Sequence, residues 1–151
     1  MKKVRWIACA AFMGMIGTQP LLAKSQDDMS NPWSPESVYY GSTLITNHPN
    51  GETGDLTADQ VNRMRLTEGW LVGVKDGLEI MAAAGKPANQ KCAVYLDKLT
   101  IYDLAKMYVE IKLRVAELNG APTPTIAALA FMQDKSCGGD KLMSYMKKHN
   151  E

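Results

Sequence analysis

The side chains best equipped for chemistry in this 151-residue chain are three cysteines, two histidines and a scatter of carboxylates. Cys9 lies in an apolar run near the N-terminus, while Cys92 and Cys137 stand far apart in the remainder. A metal centre on that pair would want further close ligands, and His48 and His149 are distant in sequence. A dithiol redox centre would favour Cys-x-x-Cys, which does not occur. The pair therefore reads as one structural disulfide, Cys92–Cys137, formed in an oxidising compartment. Closing a loop of roughly 45 residues is worth about 4 kcal/mol in the chain-entropy treatment.

Catalytic equipment is thin. The chain has no His-Glu-x-x-His, no Gly-x-Ser-x-Gly and no glycine-rich phosphate loop. Two histidines supply a general base poorly, and each reads as a solvated loop residue. Asp76 and Glu79 are three apart on one helical face and read as solvated surface acids. Of ten methionines, Met64, Met81 and Met132 follow core spacing, and none builds a cluster that argues for a metal. The expectation is a protein that is not an enzyme and needs no cofactor or metal. Tyr39, Tyr40, Trp33 and Trp70 are the aromatics able to anchor a partner; Trp70 reads more readily as core, and Trp33 is the better candidate.

The elements that must position these groups are helices. Thr57 or Asp55 can cap a helix from about Ala58 to Ala84, with Val61, Met64, Leu71, Val74, Leu78 and Met81 on one stripe. Gly69, Gly73 and Gly77 form a second line on the same helix, at a cost of up to ~1 kcal/mol each relative to alanine. Close approach of another helix inside the domain is the expected compensation; a subunit contact or partner groove is the alternative. Gly85-Lys86-Pro87 ends this helix, and a loop carries Cys92. A second helix, about Ile101 to Asn119, has Thr100 as N-cap and Asp103 reaching back, with Ile101, Leu104, Tyr108, Ile111, Val115 and Leu118 in unbroken 3-4 spacing. Thr123 then caps a third helix from Pro124 to about Lys135, with Ile126, Leu129 and Met132 facing in. A short fourth from Asp140 to Lys148 offers Leu142, Tyr145 and Met146. The fold class is all-α: a bundle of three to four helices over 58–151 with one disulfide. Residues 24–57, rich in turn signals such as Asn31-Pro32, Ser34-Pro35 and Asn50-Gly51, are expected as an irregular N-terminal arm.

Residues 1–23 read as a secretion signal: Lys2, Lys3 and Arg5, then an apolar run, then Leu21-Leu22-Ala23 with cleavage near Ala23. Of 17 basic residues the signal holds three, and it holds no acid, so 14 bases remain against 16 acids, a net of −2. That balance argues against nucleic acid and against a polybasic membrane patch. The expected location is the periplasm or the exterior.

The string from Glu68 through Trp70, Gly73 and Asp76 to Gly77, followed by Cys92, Leu99-Thr100 opening a helix, and an alanine-rich helix (Ala127, Ala128, Ala130) closed by Cys137, resembles the Tai/Rap-type immunity proteins. These are periplasmic helical proteins found beside type VI secretion effectors. The likeness spans roughly 58–137. It implies an inhibitor that binds a secreted peptidoglycan hydrolase, such as an amidase, and occludes its active site. Asp76, which matches that pattern, joins Trp33 and Trp70 as a candidate partner contact. Read from composition alone, the chain also suits an accessory subunit of an envelope complex, a small periplasmic stress chaperone, or a homodimer.

Overall fold

Ser34-Pro35 starts a helix instead of breaking one. In the computed structural model, which describes residues 30–85, 89–114, 121–141 and 144, α1 spans Pro35–Asn47. The Ser34 hydroxyl accepts from the Ser37 amide at 3.1 Å, and Pro35 occupies the first turn, where its missing N–H costs nothing. The expected irregular arm is thus corrected over 35–47; its residues 24–29 lie outside the described chain. The packed side of α1 is Ser37, Val38, Gly41, Ser42, Leu44 and Ile45. Half of that helical spacing is small residues (Ser37, Gly41 and Ser42), which break up the apolar stripe formed by Val38, Leu44 and Ile45.

α2 spans Ala58–Ala84 and opens on a capping box. The Thr57 amide donates to Gln60 Oε1 at 2.8 Å, and the Gln60 amide donates to Thr57 Oγ1 at 3.3 Å. Thr57, not Asp55, is therefore the cap. Met64, Thr67, Leu71 and Ala82 are buried, with Thr67 filling the gap in the expected stripe. Met81 departs from it: its side chain is 65% exposed, and Ala82 takes the inward position.

Cys92 sits on a helix, not in a loop. α3 spans Gln90–Asp97, burying Cys92 and Leu96, and packs along α2. α4 spans Ile101–Arg114 as the pattern requires. The Thr100 amide donates to Asp103 Oδ2 at 2.9 Å and the Asp103 amide to Thr100 Oγ1 at 3.2 Å. The Thr100 hydroxyl, which also donates to Asp103 Oδ2 at 2.6 Å, and then the Thr100 amide hold the Asp103 carboxyl below its ordinary range. The expected continuation through Val115 and Leu118 falls outside the described residues. α5 spans Thr123–Phe131, three to four residues shorter than expected. It stops because the chain turns at Met132–Asp134, where the Asp134 carboxylate accepts from the Ser136 amide at 2.8 Å and opens a 3-10 turn, Lys135–Cys137. Leu142, Tyr145 and Met146 of the expected last helix also lie outside the described residues. Among the described residues there is no strand.

The core is one contiguous cluster in which Val38, Met64, Leu71, Leu96, Tyr108 and Phe131 are all fully buried. α1 packs on α2 and α4, and α5 packs chiefly on α4 and also on α2. Polar links pin α1 at its edges: Gln60 Nε2 donates to the Tyr40 hydroxyl (3.1 Å), Arg63 to Ser37 Oγ (3.2 Å) and Lys112 to Glu36 (3.1 Å). These part-buried bonds are worth about 0.5–1.5 kcal/mol each, small beside the burial of the core, so they set orientation more than stability.

The tightest crossing is Gly41 on α1 against Thr67 on α2. A Cβ at position 41 would collide with the Thr67 hydroxyl and lie 2.7 Å from Thr67 Cβ. Turning the threonine cannot relieve this, because its own Cβ is in the way. Gly41→Ala is therefore expected to destabilise by about 1–3 kcal/mol through overpacking, despite a gain of up to ~1 kcal/mol in helix propensity. Urea unfolding checks it; an unchanged midpoint would contradict the crossing.

Candidate interaction surface

The disulfide forms as expected, joining Cys92 on α3 to Cys137 in the 3-10 turn with Cα atoms 4.6 Å apart. Beside it lies a cavity of about 200 Å³ lined by Leu78, Met81, Met132, Ser136 and the two half-cystines. Small-molecule sites run from about 300 to 1,000 Å³ and carry convergent polar groups. This hollow falls short on both counts and reads as a packing gap at the staple. Among the described residues no three His, Cys, Asp or Glu side chains converge to hold a metal ion. No helix of the described residues is long and apolar enough to cross a membrane.

Asp76 and Glu79 do not form a carboxylate dyad. Lys75 Nζ sits between them, 3.3 Å from Asp76 and 3.6 Å from Glu79, so the two acids share one surface cation. His48 is more than a solvated loop residue. At the C-terminus of α1 its Nδ1 lies 2.8 Å from the Leu44 carbonyl, and its Nε2 lies 3.3 Å from Asp55 Oδ2. A carbonyl and a carboxylate can only accept, so both ring nitrogens are best satisfied when both carry protons. The Leu44 carbonyl, then Asp55, raises the His48 pKa above 6.5, and His48 in turn lowers that of Asp55. The sign follows. The histidine's contribution is complete below its unfolded pKa and fades as pH rises through its raised folded value; that of Asp55 is present above its unfolded pKa and is lost as pH falls through its lowered one. The clamp between α1 and the 48–55 loop is thus strongest in mildly acidic solution. An NMR titration is expected to place the His48 midpoint above 6.5 and to shift it down in Asp55→Asn; a midpoint unmoved by that substitution would contradict the clamp. His149 is outside the described residues.

What the fold leaves on its surface is more telling. Trp70 is half-buried, its ring edge-on to Tyr108 with centroids 6.3 Å apart and planes at 87°. It belongs chiefly to the core, and its neighbour Tyr108, buried, has its phenol pKa pushed up by desolvation and then by Glu36. Trp33 is the opposite case, 45% exposed on a backbone held by hydrogen bonds on both sides. Its amide donates to Asn31 Oδ1 at 3.0 Å, and the following Ser34 amide donates to the Asn31 carbonyl at 3.1 Å. Its carbonyl accepts from the Thr123 hydroxyl at 2.6 Å. This last bond corrects the expected role of Thr123, whose hydroxyl ties two helix starts together while Pro122 stands at the cap position of α5. The bond bridges 90 positions, so no local pattern announces it.

The glycine line also differs from expectation. Gly69, Gly73 and Gly77 face outward, and a Cβ built at any of them would meet no atom within 4 Å. The expected close helix approach inside the domain is absent among the described residues. The same side of α2 exposes Leu66 (37%), Val72 (38%) and Ile80 (69%), with Asp76 at its edge. Two features therefore stand apart from the core: a fixed, exposed tryptophan at the start of α1, and an uncovered apolar and glycine face on α2. Compared with protein-family models, with curated proteins and with solved structures, the chain matches none of them.

Proposed function

We propose that this chain is an exported binding protein that neutralises a secreted peptidoglycan hydrolase by covering its active site. In this reading residues 1–23 direct export and are removed near Ala23, and the domain acts in the periplasm without a cofactor of its own. The observation that carries it is Trp33. Binding energy at protein interfaces concentrates in a few large anchors, with tryptophan foremost among them. Ordering a mobile side chain or loop consumes part of that energy, and a backbone already fixed by Asn31 and Thr123 avoids the loss. The disulfide-closed helices behind it supply the rigidity, and the likeness of the 58–137 motifs to the Tai/Rap immunity proteins supplies the class of target. The test is protection. A secreted cell-wall hydrolase encoded beside this chain, directed to the periplasm alone, should lyse cells, and co-expression of this chain should restore growth. Lysis undiminished by the chain, with no complex recovered, would sink the proposal.

A further inference from the structure

The hollow beside the bridge is lined by four sulfur-bearing residues. Met81 comes from the last turn of α2 and Met132 from the end of α5, while Cys92 and Cys137 form the bridge itself. The bridge is already oxidised, so the two thioethers are the sulfurs with electrons to give. A thioether accepts one oxygen atom and becomes a sulfoxide. How readily it does so follows its access to the oxidant. Among the described residues the methionines differ widely in that access. Met64 is fully buried in the core, Met107 and Met132 are partly buried, and Met81 is 65% exposed. The core does not draw Met81 in, because Ala82 takes the inward position at this turn. We propose that Met81 is a modification site, oxidised to the sulfoxide by a peroxide ahead of Met64, Met107 and Met132, and that the fold carries the product without loss.

The step is an oxygen transfer. A lone pair on Met81 Sδ attacks one oxygen of hydrogen peroxide, and the O–O bond breaks as the S–O bond forms. The departing hydroxide takes the proton from the new S–OH group and leaves as water. Sulfur is oxidised by two electrons and the peroxide is reduced by two. The product replaces an apolar side chain with a polar one, and the cost depends on where the new oxygen lies. At Met81 most of the side chain already faces water, which solvates the oxygen. A donor stands nearby as well. Asn89 lines the same hollow, and its Nδ2 lies against the end of α2, where a Cβ at Gly85 would come 2.7 Å from it. Its side chain makes no capping bond to α3, so it can turn toward the oxygen. At Met132 the same oxygen would enter a partly buried position where α5 gives way to the 3-10 turn that anchors α3 through the bridge. At Met64 it would enter the core. A polar group buried without a partner destabilises the fold. The order of access is thus the reverse of the order of harm.

Hydrogen peroxide added to the folded, disulfide-closed chain, with proteolysis and peptide mass mapping at intervals, tests this. The gain of one oxygen on the peptide holding Met81 should appear at least about tenfold faster than on those holding Met64, Met107 or Met132. In concentrated urea the four rates should converge, which shows that the order comes from the fold. Met81→Leu, a change at an exposed position, isolates the effect of the product on stability. Wild type and Met81→Leu, treated alike until Met81 is consumed in the wild type, should lose the same amount of thermal midpoint to within about 2 °C. Three results would each overturn the proposal: Met107 or Met132 oxidising as fast as Met81 in the folded chain, an order of rates unchanged in urea, or a larger loss of midpoint in treated wild type than in treated Met81→Leu.

Discussion

Cys92→Ala/Cys137→Ala is expected to lower the thermal midpoint by roughly 16–32 °C. The bridge spans a sequence separation of 45, and removing that constraint from the unfolded chain costs about 4 kcal/mol in the entropic treatment. Each kcal/mol moves the midpoint of a domain near 100 residues by about 4–8 °C. A local consequence adds to the global one. α3 has eight residues, fewer than the ~12–15 an isolated helix needs in water, so it persists through what holds it. Besides its packing on α2, its anchor is the 3-10 turn Lys135–Cys137 reached through the bridge. Hydrogen exchange in the double variant should therefore quicken first over Gln90–Asp97. Reductant should lower the wild-type midpoint by the same amount and leave the variant unmoved. A fall of only 2–3 °C would mean that packing alone holds α3.

Trp33→Ala is expected to weaken the complex with the hydrolase at least 30-fold while leaving the fold in place. Truncating a central tryptophan typically costs 2 kcal/mol or more at an interface, and each 1.4 kcal/mol is tenfold in affinity. The fold should tolerate the change because the bonds at this position use only the main-chain amide and carbonyl of Trp33, to Asn31 and from Thr123. Thr123→Val is the informative partner. It releases the Trp33 carbonyl without touching the indole, so it should weaken binding by the smaller amount that pre-ordering contributes. Calorimetric titration with matched unfolding curves separates the two. Equal affinity for Trp33→Ala and wild type would remove this residue from the interface.

How far the sequence foretold these features depended on what kind of residue did the packing. α4 was legible because its inward side is Leu104, Tyr108 and Ile111 at unbroken helical spacing, with Thr100 and Asp103 marking its start. α1 was not, because Ser37, Gly41 and Ser42 share its inward side and Ser34-Pro35 serves as a start signal as readily as a turn. α3 is too short for periodicity to register. The disulfide could be read from cysteine count and compartment alone. The glycine line is legible in the sequence but its direction is not, since close packing inside the domain and a contact outside it both offset the helix cost of three glycines. Among the described residues, a Cβ at Gly69, Gly73 or Gly77 meets nothing, and that outward direction is not written in the spacing. The Thr123–Trp33 bond and the His48–Asp55 pair join side chains across loops, where spacing carries no signal.

The most direct measurement of the proposed function is the turnover of purified peptidoglycan by the neighbouring secreted hydrolase, titrated with this chain. Turnover is expected to fall to zero at one chain per enzyme, and the endpoint should shift to large excess with Trp33→Ala. Turnover unchanged at tenfold excess of the folded, disulfide-closed chain would contradict it.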